Sequence, residues 1–302
     1  MKKLFILFAL VGQIAFAQSI KVTSVQVLKG TESGGFYHPV FSPQGTYLLT
    51  TGENYAGLKF HSLATNEVKT LTADAGAGYD LRISSDENII LFKRTEMLNN
   101  MRYTSLHQYN LQDKKQLQVE KAVREKITPT FAGTKPAYVK GNALVKSQAK
   151  ATENVAPFIN IEDQKMVLYS GDSRKTLTPN GANASYFWAS VSPDQKHIVY
   201  TIAQGGTFVC RINGTNPVSL GRLNAPKWLN NQWIIGMNEE DDGDVVTASK
   251  IVAVTIDGNI RQTIATPQTP IAMYPAASAD GKKIAFNSNE GKIYILDINI
   301  QK

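Results

Sequence analysis

Four histidines and one acidic run are the residues of this chain best suited to metal or acid–base chemistry. His38, His61, His107 and His197 lie far apart, and none makes the His-x-x-x-His or His-Glu-x-x-His spacing of a zinc site. The last three fall in strand-like segments, where we interpret them as ordinary strand residues. The acidic run 239–244 could offer oxygen ligands to Ca²⁺, but the complete Ca²⁺-binding loop pattern is missing. We interpret it as a solvated hairpin loop, with a partner contact or a metal as alternatives, and we predict no catalytic residue, no metal and no cofactor.

Composition argues against a nucleic-acid partner and against a disulfide within the chain. The formal net charge is +7, but the basic residues are scattered and form no Arg-rich stripe, so we expect no nucleic-acid partner. Cys210 is the only cysteine, so no disulfide can form within the chain. It lies in a strand-like run, 207–212, with no histidine nearby, and we interpret it as a small buried hydrophobic residue.

The first 17 residues have the three-part pattern of a secretory signal peptide. Lys2 and Lys3 precede an apolar run from Leu4 to Leu10, and Ala15-Phe16-Ala17 places small residues before a cleavage point. The run is too short for a membrane span, which needs about 20 apolar residues. We therefore predict signal residues 1–17, a mature chain without a transmembrane segment, and a periplasmic or secreted location.

Internal repeats organise the rest of the chain. Each repeat is a strand, a tight turn of the Ser-Pro-Asp-Gly type and a second strand rich in β-branched and aromatic residues. The repeats begin near Val40, Arg82, Ser190 and Ala276, and two degenerate copies begin near Phe131 and Trp228. Equivalent positions of successive copies are 37 to 60 residues apart, which is close to the roughly 40–50 residues of a four-stranded propeller blade.

The repeats predict an all-β fold, a six-bladed β-propeller with four-stranded antiparallel blades. The last unit has only three strands, whereas an orphan strand at 20–28 precedes the first. We expect this N-terminal strand to complete the last blade and close the ring, because closure removes an exposed sheet edge. The third unit is the longest, with an extra hairpin expected around Phe158–Tyr169 and a polar loop at Lys146–Asn154.

The chain resembles the TolB-like, WD40-like β-propellers of bacterial envelope proteins. The resemblance rests on Ser42-Pro43-Gln44-Gly45, Ser192-Pro193-Asp194 and Ala279-Asp280-Gly281, each followed by Ile-Ala-Phe-type residues. It implies one propeller domain over residues 18–302 and a role in binding. TolB also has an α/β domain before its propeller, which we do not expect here, and no Gly-x-Ser-x-Gly motif suggests a peptidase.

One face of such a propeller is the expected binding surface. The loop before the first strand and the loop between strands two and three of each blade lie on that face, around the central channel. Residues at these positions are rich in aromatic rings with a few polar groups, as recognition surfaces often are. Packing between blades is the alternative role of the rings. The candidate binding residues are Tyr37, His38, Asn54, Tyr55, Tyr79, Asp80, Phe187, Trp188 and Tyr274.

These residues predict an exported, non-catalytic binding protein or scaffold whose partner is an envelope protein, a peptide or a glycan. The alternative is a propeller hydrolase or lyase with a metal in the central channel, to which His38, Asp80 and Asn54 could contribute. A structural subunit of an envelope complex is a third hypothesis. Fold alone does not choose among them.

Overall fold

A computed structural model describes residues 18–147, 152–264 and 271–301. The predicted signal peptide lies outside the described residues, as does part of the polar loop predicted at Lys146–Asn154. The described residues form seven antiparallel sheets that follow one another along the chain, so the fold is an all-β propeller of seven blades. None of the helices within these ranges has the length and apolar character needed to span a bilayer.

The strands are numbered in chain order, and the blades likewise. Blade 1 comprises β2 (Tyr37–Phe41), β3 (Tyr47–Thr51), β4 (Leu58–Ser62) and β5 (Val68–Thr72). Blade 2 comprises β6 (Arg82–Ile83), β7 (Ile89–Leu98), β8 (Met101–Asn110) and β9 (Lys115–Val123). Blade 3 comprises β10 (Ile127–Ala132), β11 (Lys135–Lys140) and β12 (Ala143–Lys146), and blade 4 comprises β13 (Phe158–Glu162), β14 (Lys165–Ser170) and β15 (Ser173–Leu177).

The remaining three blades have four strands each. Blade 5 comprises β16 (Tyr186–Val191), β17 (His197–Ile202), β18 (Gly206–Arg211) and β19 (Val218–Gly221). Blade 6 comprises β20 (Asn224–Trp228), β21 (Trp233–Asp241), β22 (Val246–Thr255) and β23 (Arg261–Thr263). Blade 7 comprises β24 (Ala272–Ala277), β25 (Lys283–Ser288), β26 (Ile293–Gln301) and the N-terminal β1 (Ser19–Val27).

The repeated turn works through a buried serine. The hydroxyl of Ser42 accepts a hydrogen bond from the amide of Tyr47 at 3.1 Å. Ser84, Ser192 and Ser278 accept the amide five residues later in the same way, at 2.9 to 3.0 Å. This bond fixes where the second strand starts, and therefore the register of the first hairpin in these four blades.

The N-terminal strand closes the ring, as the sequence predicted. β1 pairs antiparallel with β26 from Ser19–Gln301 to Val27–Tyr294. Blade 7 thus takes its outer strand from one end of the chain and its three inner strands from the other. This pairing satisfies backbone groups that an edge strand would otherwise expose.

The predicted number of six blades is wrong, whereas the predicted four antiparallel strands are present in five of the seven blades that the described residues form. The long third unit contains two blades of three described strands each. The predicted extra hairpin around Phe158–Tyr169 exists as β13 and β14, which are the first two strands of blade 4. Its turn is Asp163-Gln164, with positive φ at both residues and no serine-proline pair, so the repeat pattern did not reveal it.

The hydrophobic core is divided into interfaces between neighbouring blades. Tyr47 and Leu49 of blade 1 pack with Ile90 and Phe92 of blade 2, for example. Equivalent clusters join every successive pair of blades and also join blade 7 to blade 1. Because each blade buries both faces against its neighbours, the seven-blade ring is closed around its axis.

Candidate functional site

The innermost strands of five blades carry an unusual backbone feature near their starts. One residue that is not glycine has a left-handed conformation in each of these strands or just before it. These residues are His38 (φ 49°), Asp80 (58°), Trp188 (49°), Ala225 (47°) and Tyr274 (51°). Side chains with a Cβ rarely adopt this conformation, and such residues are often concentrated at functional sites.

In four of these blades the left-handed residue belongs to a β-bulge. In blade 1 the pairs Tyr37–Thr51 and Val40–Leu49 leave His38 and Pro39 opposite Thr50 alone. Blades 5, 6 and 7 show the same shift of register. A bulge changes the direction in which a side chain points, and it tolerates proline, which cannot donate to the ladder.

The bulges and nearby loops bring aromatic rings from three adjacent blades into contact. His38 stacks on Tyr55 with ring centroids 4.1 Å apart, and its other neighbour, Tyr274, is 4.2 Å away. Tyr79 meets Tyr55 edge to face at 5.3 Å. We call Tyr274, His38, Tyr55 and Tyr79 the aromatic belt. It runs across the start of the inner strands of blades 7, 1 and 2.

The backbone of the belt is held by neighbouring blades. The amide of His38 donates to Oδ1 of the buried Asn287 in blade 7, at 3.1 Å. The amide of Tyr274 lies 3.5 Å from the sulfur of Met237 in blade 6. Tyr55 itself lies in a short 3₁₀ turn, Glu53–Tyr55, between strands two and three of blade 1. The contact between Tyr55 and His38 shows that this loop and the start of the first strand share one face.

The other aromatic and polar residues predicted for the site make contacts of their own outside the series of belt rings. Phe187 and Trp188 of blade 5 contact each other edge to face at 4.9 Å, and Trp188 is 43% exposed. Asn54 is exposed next to Tyr55. The hydroxyl of Tyr37 interacts with Glu53 and its ring lies against Gly291.

Asp80 lies two residues before the inner strand of blade 2 and is held by two cations. Its carboxylate is 2.8 Å from Arg82 and 3.3 Å from Lys93. Burial alone would raise the pKa of Asp80, but the charges of Arg82 and Lys93 outweigh that effect and lower it. Lys93 also lies 4.5 Å from the centre of the Tyr79 ring, a cation–π distance that ties the charged group to the belt.

His38 is a neutral member of the belt. Burial between two tyrosine rings, together with the charge of Lys227, lowers the pKa of His38 to about 4. The imidazole is therefore uncharged at neutral pH and contributes a polar aromatic surface.

Sequence reasoning missed the cationic side chains near this group. Arg82 and Lys227 each lie two residues after a left-handed residue, on the inner strands of blades 2 and 6. The dipeptides His38-Pro39, Ala225-Pro226 and Tyr274-Pro275 occur at the same place in their blades. That recurring X-Pro pair marks the bulge in sequence, and the residue after it would have pointed to Lys227.

The other groups considered in the sequence do not assemble into a reactive centre. Burial raises the pKa of Cys210 to about 12, so the thiol stays protonated. His61 and His107 each share a 2.9 Å hydrogen bond with a neighbouring hydroxyl inside a blade. In the acidic run, Glu239–Asp241 continues β21 and the turn follows it. No three His, Cys, Asp or Glu side chains of the described ranges are grouped as a metal site.

Solved structures with the same fold include two kinds of propeller. TolB from Acinetobacter baumannii aligns with 16% identity and a TM-score of 0.53, over 80% of this chain. A candidate TolB from Agrobacterium tumefaciens aligns with 15% identity and a TM-score of 0.54, over 94% of this chain and 98% of that one. An oligogalacturonate lyase from Vibrio parahaemolyticus aligns with 14% identity and a TM-score of 0.58, over 93% and 97%.

These likenesses confirm the TolB-like propeller fold that the sequence predicted, apart from the number of blades. This chain spans 56% of the length of the Acinetobacter TolB. No protein-family profile matches the chain, and no curated protein matches it in sequence. The same fold thus occurs in both TolB and a lyase, and function has to be argued from the residues of this chain.

Proposed function

We propose that this protein is an exported, non-catalytic binding protein of the cell envelope that holds a partner at the face formed by the starts of its inner strands. The observation that carries the proposal is the aromatic belt. Four rings from three blades touch in series, although three of them, His38, Tyr55 and Tyr274, need a left-handed backbone to do so. A packing role alone would not require rings at the inner strands, because the interfaces between blades are already filled by aliphatic and aromatic side chains.

The exposure of the belt and of blade 5 supports a partner contact. Tyr79 is 51% exposed and Trp188 is 43% exposed, so both rings offer apolar surface to another molecule. Tyrosine and tryptophan are the side chains that most often dominate binding energy at interfaces. The partner we propose is a protein segment, in keeping with the likeness to TolB propellers. The N-terminal pattern of residues 1–17 supports an envelope location.

The test is capture of partners from an envelope extract by three purified proteins. The wild type is compared with a Tyr79→Ala/Trp188→Ala variant and with Leu117→Ala, which removes an equally exposed side chain (52%) from the outer strand of blade 2. We expect the wild type and Leu117→Ala to retain the same partner and the double variant to lose it, with all three melting temperatures alike. A partner retained equally by all three proteins would contradict the site.

A lyase or hydrolase is the second candidate, because the oligogalacturonate lyase propeller matches this chain over nearly the whole of both chains. Asp80 and His38 would have to act in it. Both are engaged, since Asp80 pairs with two cations and His38 is stacked between two tyrosines. Turnover of oligogalacturonate by the purified protein, with and without added Mn²⁺, distinguishes this candidate from a binding protein.

A further inference from the structure

The inner strands of blades 2 and 6 place two cations at equivalent positions around the axis. Arg82 pairs with Leu91 in the ladder of blade 2, and Lys227 pairs with Ile235 in that of blade 6. Inner strands face the central channel on their free edge. The charge of Arg82 also lowers the pKa of Lys227, so the two groups interact electrostatically.

Asp80 is the carboxylate that these cations share, whereas the nearby Glu239 of blade 6 accepts from Asn224 at 2.6 Å and acts on Tyr274 of the belt. Asp80 interacts with Arg82, Lys93 and Lys126, and its charge also acts on the pKa of Lys227. Two cations therefore contact this carboxylate, and the charges of two more act on it from farther away. Glu162 is the other carboxylate whose charge acts on the pKa of Lys126, and it is already paired with Arg174. This part of the channel carries an excess of positive charge.

Three of the four cations already have partners. Arg82 and Lys93 bind the carboxylate of Asp80, and Lys93 also lies 3.5 Å from the carbonyl oxygen of Ile127. Lys126 donates to Oδ1 of Asn160 at 3.0 Å and to the carbonyl oxygen of Ile161. Lys227 differs, because within the described residues its ammonium group makes no hydrogen bond and no ion pair.

The position of Lys227 is unfavourable for an unpaired charge. The side chain is accessible, yet it lies inside the ring of blades, where loss of solvation and the charge of Arg82 lower its pKa. A cation in such surroundings gains from an anionic partner, since the protein supplies none within bonding distance. The aromatic belt lies next to it, as the effect of Lys227 on His38 shows.

We infer that Lys227, supported by Arg82, binds a carboxylate of an acidic peptide segment whose apolar part rests on the aromatic belt. This inference rests on the proposed function and names the chemistry of its ligand. A peptide offers both features, an acidic side chain or C-terminal carboxylate that enters the channel and neighbouring side chains that cover the rings. The excess of cations also attracts an acidic segment before contact.

Calorimetric titration with hexaglutamate at low salt tests the inference, with hexaglutamine as the uncharged probe. The variant is Lys227→Met, which keeps the length of the side chain and removes its charge. The matched control is Lys175→Met, on the exposed outer strand of blade 4. We expect hexaglutamate, but not hexaglutamine, to bind the wild type and Lys175→Met, and Lys227→Met to bind it roughly tenfold more weakly.

Equal weakening in both lysine variants, or equal binding of the two probes, would overturn the inference. Lys227-dependent binding of trigalacturonate without binding of hexaglutamate would overturn the assignment to a peptide. The two proposals fail separately. A partner captured through Tyr79 and Trp188, without any hexaglutamate affinity, removes only the carboxylate site, and the converse result removes only the envelope-partner function.

Discussion

Blades 3 and 4 differ from the other five in the backbone and the polar groups of their inner strands. Among the described residues, their inner strands β10 and β13 have regular pairing and no left-handed residue. Their inward polar groups satisfy one another. Asn160, only 2% exposed, accepts from the Thr128 hydroxyl at 2.8 Å and from Lys126 at 3.0 Å, and it donates to Glu162 at 3.0 Å.

The other five blades leave side chains near the starts of their inner strands available to a ligand. Four of their five left-handed residues, all except Ala225, present a ring or a charge with partial exposure, and Lys227 has no partner among the described residues. A buried polar network that is fully satisfied gives rigidity, whereas partly satisfied groups can be completed by a ligand. We call blades 3 and 4 the regular arc and the other five blades the bulged arc. The regular arc is built for stability and the bulged arc for recognition.

The largest effect should come from breaking the polar network of the regular arc. Replacing Asn160→Ala leaves the buried Thr128 hydroxyl without its acceptor and removes one bond each from Lys126 and Glu162, so we expect a loss of about 2 to 3 kcal/mol in the free energy of unfolding. Chemical denaturation measures it. Partner capture by the folded variant should be unchanged, and lost capture at a temperature where the variant is fully folded would contradict the division into two arcs.

A smaller effect should separate left-handed backbone from regular strand backbone. Ala225 is left-handed in blade 6, whereas Ala137 lies in a regular strand of blade 3, and both are buried. Glycine relieves the left-handed conformation at Ala225 and only loosens the strand at Ala137. We expect Ala225→Gly to be more stable than Ala137→Gly by about 1 to 2 kcal/mol. Equal free energies of unfolding for the two variants would show that the bulge carries no conformational cost.

A third test concerns the pH dependence of stability. The pKa of His38 is about 4 in the folded protein, below the 6.5 of an ordinary histidine. As pH falls from about 6.5 to about 4, the unfolded chain binds a proton that folded His38 does not, so the free energy of unfolding decreases. His38→Asn, which tolerates a left-handed backbone, should reduce that decrease. His61 titrates similarly and remains in the variant. An unchanged decrease would place His38 outside the buried belt.

The sequence predicted the repeat, the strand order of five blades and the closure by β1, because these depend on local turn chemistry and on strand patterns. Ser42, Ser84, Ser192 and Ser278 mark turns that recur wherever the pattern is intact. Blade 4 was missed because its first hairpin turns at Asp163-Gln164 without that serine. Blades 3 and 6 also lack the serine, but their degenerate copies near Phe131 and Trp228 were still recognisable.

The candidate site was predicted in part for a similar reason. Position in the repeat was enough to bring His38, Tyr55, Tyr79 and Tyr274 to one face, and the structure places their rings in contact. The sequence did not show that the ring of Tyr37 packs against Gly291, nor that the charge of Arg82 acts on Lys227. Both facts depend on the bulge and on contacts between blades that are distant along the chain.

The most direct measurement of the central claim is site-specific photocrosslinking to the partner in envelope extract. A photoreactive phenylalanine derivative is placed at Tyr79, at Trp188 or, as a control, at Leu117 or Val68, which are exposed on outer strands. We predict crosslinks to the same partner from Tyr79 and Trp188 and none from Leu117 or Val68. Crosslinks from the outer strands, with none from the bulged arc, would contradict the account.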